Sequence, residues 1–259
     1  WSSAVGLSIW LSHAASTGQL RIAGARLLEL GAGVGLPGLL CGQLGADAPS
    51  QVTLTDLSTQ LVDCMQANAE RNAKDGAPAP KVAVLNWDDR SADLDCDEYD
   101  IIVGADLVYN PAHVTQLVQT VLPRLATGLS TLVLVEPGMY TDAEFDTRNG
   151  WAELKVALAA VGTVELRRMQ LALLEHRATS GSTELTSGST ELWTRGAATH
   201  NAGGDREGGA GTDTHRLETG EVGQSAHPSS LEPMAYADLE LLIFRKEVLC
   251  LMPPLAQPE

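Results

Sequence analysis

Residues 27–38, LLELGAGVGLPG, set an apolar run and one acid, Glu29, in front of a glycine-rich turn. Gly31, Gly33 and Gly35 fall where a strand would end and a helix begin. Backbone N–H groups at a helix start bind anionic or polar ligand groups, and missing Cβ atoms let a ligand come close. The stretch GVGLPG also fits G-x-G-x-x-G, so the loop alone does not separate a dinucleotide from another nucleoside-bearing cofactor. Asp56 follows Gly31 by 25 residues, where an acid can take ribose hydroxyls in either case. Glu29 breaks the tie, because a carboxylate there repels a pyrophosphate and suits a ligand carrying an ammonium and a sulfonium. Two further short motifs, LNWDD (85–89) and ADLVY (105–109), supply Trp87 and Asp88, then Ala105, Asp106 and Tyr109. Both stand at strand ends, where an adenine and a reacting group would lie.

These residues need a scaffold that brings strand ends together. Apolar strands and amphipathic helices alternate from about residue 26 to 160. ARLLEL (25–30), QVTLTD (51–56), KVAVLNW (81–87), YDIIVGAD (99–106) and STLVLVEP (130–137) read as strands. Residues 36–46, 57–73 and 111–126 read as helices, with Pro111 opening the last and Pro123 kinking or tightening it. Near-continuous apolar strands alternating with helices imply a parallel sheet covered on both faces, with right-handed crossovers. In such a doubly wound sheet ligands sit beyond the carboxyl ends of the strands. The glycine loop, Asp56, Trp87–Asp88 and Asp106–Tyr109 therefore share one rim by topology.

The pattern breaks near residue 178. The heptad TSGSTEL occurs twice in direct tandem, and Gly, Thr, Ser and Glu dominate to about Pro233. Such composition cannot bury enough apolar surface to offset ordering entropy, so 178–233 is expected to be a disordered insertion. TVELRRMQLALL (163–174) before it and ADLELLIFRK (237–246) after it both read as strand, so the insertion splits a hairpin. The expected organisation is a domain over 1–177, the insertion at 178–233, a last strand at 234–247 and a tail at 248–259.

The formal charge of −16 over 259 residues argues against a general nucleic-acid binder, which needs a basic face. Four cysteines without a C-x-x-C pair fit a reducing compartment, cytoplasm or nucleus, better than a disulfide framework or a zinc site. No run of 18 apolar residues and no signal-peptide pattern is present. His13, His113 and His176 lack partners at metal spacing, so no metal is expected.

Taken in order, ELGAGVGLPG, LTD, LNWDD and YDIIVGADLVY resemble the seven-strand S-adenosylmethionine-dependent methyltransferases. More narrowly they resemble the protein-lysine methyltransferases with an Asp-x-x-Tyr motif. The opening WSSAVGLSIWLS is similar to that group's N-terminal helix, and LELLIFRK to its last strand. The resemblance implies a mostly parallel, Rossmann-like seven-stranded sheet with a C-terminal antiparallel hairpin. It implies S-adenosyl-L-methionine as cofactor and a protein lysine as substrate, with a monomer acting away from nucleic acid and membranes. It puts Glu29, Gly31, Gly33 and Gly35 around the cofactor's methionine part, Asp56 on its ribose, and Trp87, Asp88 and Ala105 near its adenine and core. Trp1 would close the pocket, and Asp106 and Tyr109 would line the entrance for the amine. Where family members carry an Arg and aromatic residues after the fifth strand, this chain reads VEPGMYTDAEF, with an acid at Glu136. An Arg, a His or a small molecule as methyl acceptor, and a catalytically silent scaffold, are the alternatives that stay open at this point.

Overall fold

The computed structural model describes residues 2–73, 79–88, 98–126, 130–137, 150–174, 190–200, 215–217 and 233–246. Trp1, most of the acidic stretch 88–100 and the segment that follows residue 137 lie outside the described residues.

One sheet runs through the domain in the order β3-β2-β1-β4-β5-β9-β6-β7-β8. Its strands are β1 (Arg26–Leu30), β2 (Gln51–Asp56), β3 (Lys81–Val84), β4 (Ile101–Ala105) and β5 (Thr131–Pro137), followed by β6 (Gly162–Leu174), β7 (Thr190–His200), β8 (His215–Leu217) and β9 (Pro233–Lys246). β1 pairs in parallel with β2 and with β4, β2 with β3, and β4 with β5. β9 then inserts antiparallel between β5 and β6. The expected doubly wound sheet and C-terminal hairpin are both present. The order reverses at β1, whose two neighbours are β2 and β4, and that reversal opens a crevice at the carboxyl ends of β1 and β4.

Alternation along each central strand divides the core. Leu27, Ile101, Val103, Val133, Val135 and Leu241 face one side, packed against helices α1 (Ser2–Ser16), α2 (Leu36–Cys41) and α3 (Thr59–Arg71). Leu28, Leu30, Ile102, Leu132, Leu134 and Leu242 face the other, against α4 (Val114–Arg124) and α5 (Trp151–Ala159). In α1, Leu7, Trp10, Leu11 and Ala14 recur at helical spacing and are buried, so one stripe seals the helix to the sheet. α3 is capped by Ser58, whose hydroxyl accepts from the Leu61 N–H at 3.4 Å. α2 is shorter than its apolar run implies, because Gly42 ends it and a 3₁₀ turn follows at Gly45–Asp47. Pro111 opens a 3₁₀ turn ahead of α4, and Pro123 sits in that helix's last turn, where it terminates rather than kinks it.

The sheet has nine strands where seven were expected. β7 and β8 fall inside the stretch read as a disordered insertion, and β7 pairs antiparallel with β6 from Val164↔His200 to Leu173↔Thr190. The free edge of β6 supplies a row of N–H and C=O groups, and extended backbone can satisfy that row with little apolar burial. The rest of 175–232 lies outside the described residues. No helix of the described residues is long and apolar enough to cross a membrane.

Candidate active site

The glycine loop leaves β1 and crosses the sheet's rim toward α2. Its backbone is tied to β2: Ala32 N–H donates to the Thr55 carbonyl at 2.9 Å, and Gly33 N–H donates to Asp56 Oδ2 at 3.0 Å. Asp56 Oδ1 accepts from Ser58 N–H at 3.1 Å, so this carboxylate fastens loop, strand end and the start of α3 together. From α3, Asn68 Nδ2 donates to the Val34 carbonyl at 3.0 Å.

The three glycines do different work. Gly33 (φ +58°) has open space where a Cβ would stand, so a ligand can lie directly on its backbone. At Gly31 (φ +55°) that space is filled, because a Cβ would meet the Leu107 side chain at 2.5 Å. Gly35 is backed by Leu54 and Leu39 and stands at the entry to α2. Glu29 departs from expectation in where its carboxylate goes. It is 3% exposed, and Oε2 accepts from Gly38 N–H at 2.7 Å, so it braces α2 from beneath the loop.

Beyond β4 the chain turns sharply through Asp106-Leu107-Val108-Tyr109. Asp106 has φ +56°, and no other non-glycine among the described residues has a positive φ. That conformation costs on the order of 1–3 kcal/mol and persists only when the surroundings impose it. They do: Asp106 N–H donates to the Val135 carbonyl at 2.9 Å, and Leu107 and Val108 N–H donate to Glu136 Oε1 at 2.8 and 3.3 Å. Leu107 folds inward over Gly31 and Gly104, locking this turn to the glycine loop. Tyr109 projects outward, 62% exposed.

His113 joins the remaining site residues. Its ring meets Tyr109 edge-on at 5.9 Å and Trp87 edge-on at 6.4 Å. Trp87 is half-buried against the core on the α4 side, Asp88 is exposed, and Ala105 ends β4 half-buried. The structure thus gathers the glycine loop, Asp56, Ala105, Asp106, Tyr109 and Trp87 on one rim. His113, Leu107 and Glu136 join them, and sequence reasoning did not assign them a site role. One signal was present for Glu136: β1, β2 and β5 each carry an acid at or next to their carboxyl end, and Asp106 follows β4.

Burial perturbs the acids at this end of the sheet. Burial pushes the Glu29 carboxyl up to about 8, with the Asp56 charge adding to the effect against the Gly38 hydrogen bond. Burial likewise pushes Glu136 up to about 8, again against its backbone hydrogen bonds and assisted by Asp106. Asp106, half-buried, is raised by desolvation. Burial also pushes the Cys41 thiol up to about 12, which removes it as a nucleophile.

The sequence profile of the lysine methyltransferase family matches residues 1–145, more than half of the chain. The chain belongs to that family. Among curated relatives, mouse protein N-lysine methyltransferase METTL21A is 35% identical over 135 residues, covering 52% of this chain and 57% of its own length. EEF1A lysine methyltransferase 3 of Xenopus tropicalis is 37% identical over 124 residues, covering 46% and 52%. Histone-arginine methyltransferase METTL23 of Xenopus laevis is 35% identical over 123 residues, covering 47% and 48%. The chain spans about half the length of the curated relatives it matches. The lysine methyltransferase family uses S-adenosyl-L-methionine, and the residues present fit that group. Gly33 offers backbone with no side chain in the way, and Asp56 stands beside it at the end of β2. Exposed Val34 and Leu57 flank the loop with apolar surface for a flat ring.

Proposed function

We propose that this chain transfers a methyl group to a lysine side-chain amine of a protein, with S-adenosyl-L-methionine as donor. The observation that carries the reading is the Leu107 side chain seated over Gly31, which makes the Asp106–Tyr109 turn and the cofactor loop one unit. An acid aimed at an incoming amine is then held in fixed relation to the donor. The bound cofactor would supply an already activated methyl, so the protein's part is alignment and exclusion of water. Gly31, Gly33 and Gly35 would cradle the methionine part, Asp56 would take the ribose hydroxyls, and Trp87, Asp88 and Ala105 would border the adenine side.

A lysine amine, with a reference pKa of ~10.4, must lose a proton before it attacks. Asp106 would draw the ammonium in by charge. Its half-buried, desolvated carboxyl then makes a better proton acceptor than an exposed aspartate. Tyr109, exposed at the rim and propped by His113, would form the wall of the entrance. The strongly negative charge of the chain favours a basic protein surface over nucleic acid as partner. We read it as a monomer of a reducing compartment such as the cytoplasm.

The test is incubation with tritiated S-adenosylmethionine and an arrayed set of lysine-containing peptides, followed by mass spectrometry of the modified residue. Labelled lysine is expected; label on arginine alone would replace the lysine reading with the arginine one. Asp106→Ala should lower transfer by at least ~100-fold while calorimetry shows cofactor affinity within about threefold of wild type. Near-normal turnover in that variant would remove Asp106 from the reaction.

A further inference from the structure

We propose that Glu136 is the positioning residue of the amine-handling turn: by accepting the successive N–H groups of Leu107 and Val108 it holds Asp106 in its left-handed conformation and so fixes where the Asp106 carboxylate and the Tyr109 ring stand. The proposal rests on the lysine-methyltransferase reading for its consequence in catalysis and on hydrogen bonds for its geometry.

Glu136 is fully buried at the carboxyl end of β5, next to β4, the strand that Asp106 follows. Its Oε1 takes both N–H groups, at 2.8 and 3.3 Å. Those two donors follow a residue with positive φ, in a turn that no regular ladder can satisfy, so without Glu136 both would be buried and unpaired. The neighbouring acid does not compete for this task. Glu240 stands directly opposite Glu136 on β9, but its Oε2 accepts from the Trp151 indole N–H at 2.7 Å.

Stability alone is a poor reason for a carboxyl here. Among the described residues the second oxygen, Oε2, is buried without a hydrogen-bond partner, as is Asp106 Oδ1. A buried carboxyl with an orphan oxygen is costly, and an amide or an apolar side chain would avoid that cost. What an apolar residue could not do is grip two consecutive backbone N–H groups from the next strand over. The same grip reaches the cofactor loop, because Leu107, held through its N–H, is the side chain that packs on Gly31. Loss of the grip would therefore free the turn to relax to negative φ and carry the Asp106 carboxylate away from the rim.

The experiment compares wild type, Glu136→Met and Glu136→Gln by amide hydrogen exchange and by steady-state methylation of a lysine peptide selected from the array. Met keeps the length and loses the acceptor. Gln keeps an oxygen for both N–H groups. In the Met variant, exchange at Leu107 and Val108 should quicken at least ~10-fold relative to residues in β1, with kcat falling at least ~10-fold and KM for the cofactor moving less than about threefold. Gln should restore the protection and most of the lost kcat. Unchanged exchange at those two amides in the Met variant would overturn the proposal. So would a Gln variant with full protection and the low kcat of Met, because Glu136 would then act by its charge. Should the Met variant not fold, Glu136→Asp, which withdraws the oxygen by one methylene, gives the same comparison. If wild type methylates no lysine peptide, the functional reading fails, while the exchange data still decide whether Glu136 holds the turn.

Discussion

Gly31 and Gly33 stand two residues apart with φ of 55° and 58°, yet what surrounds them separates their roles. A side chain at Gly33 would enter open space, and one at Gly31 would strike Leu107. Both Gly→Ala changes place a Cβ at positive φ, which costs on the order of 1 kcal/mol. Gly31→Ala adds overpacking of about 1–3 kcal/mol, so it should lower the melting temperature more. Gly33→Ala should instead weaken S-adenosylmethionine binding out of proportion to its stability loss. Calorimetry and thermal unfolding on the two variants check this, and equal behaviour of the pair would refute it. Leu107→Ala in the Gly31→Ala background should recover part of the lost stability, a coupling measurable by a double-mutant cycle. The glycines as a group were legible in the sequence because their density after an apolar run has few other uses. Which of them faces a ligand was not, since that depends on a leucine 76 positions further along the chain. The direction of the Glu29 carboxylate was equally out of reach, because its partner is the Gly38 N–H, which a fold must bring over it.

At the scale of elements, alternation and length identified the central strands, because strands sandwiched between helices must be apolar on both faces. β1, β2, β4 and β5 all match their expected spans to within two residues. Pairing was less legible. That 163–174 and 237–246 form a hairpin could be read from their patterns, but β9 also wedges between β5 and β6, and β7 pairs along β6 over ten positions. Such contacts join residues far apart in sequence, and backbone hydrogen bonds leave no side-chain signature. The hairpin's own pairing runs from Gly162↔Lys246 to Leu174↔Pro233, so its ends at 174 and 233 are already adjacent. A short glycine-containing turn of about two to five residues can close that gap. Replacing 175–232 by such a turn should therefore leave the fold and cofactor binding in place, with affinity within about threefold and the melting temperature lowered by less than ~5 °C. The newly exposed edge of β6 carries Glu165, Arg167 and Arg168, charges of the kind that discourage edge-to-edge pairing. An insoluble or unfolded product would show that β7 is part of the domain's stability rather than an addition to its edge.

The chain carries a net charge of −16, and the most deeply buried acids among the described residues stand at the carboxyl ends of β1 and β5. This sets how stability varies with pH. Glu29 and Glu136 each titrate near 8 in the folded protein against an ordinary value of 4.5, because burial disfavours the ionised form. Between those values the folded state keeps protons that the unfolded state has released. The stabilisation is therefore full below about 4.5 and is lost as pH rises through about 8. Asp100 works in the opposite direction. Burial raises it, but hydrogen bonds from the Arg26 backbone and guanidinium outweigh burial and hold it below 3.8, so its contribution fails only in stronger acid. The melting temperature should fall steadily from pH 5 to pH 8, at up to about 1.4 kcal/mol of stability per pH unit for each titrating group. Repulsion among the surplus acids has the same sign, so the wild-type curve does not by itself assign the effect. Glu29→Gln and Glu136→Gln separate the two causes, since each removes one titrating group and barely alters the net charge. Each variant should flatten the slope between pH 5 and pH 8 while leaving the acid limb, set by Asp100, where it was. A slope unchanged in both variants would mean that surface repulsion, and not the buried acids at the strand ends, governs the pH response.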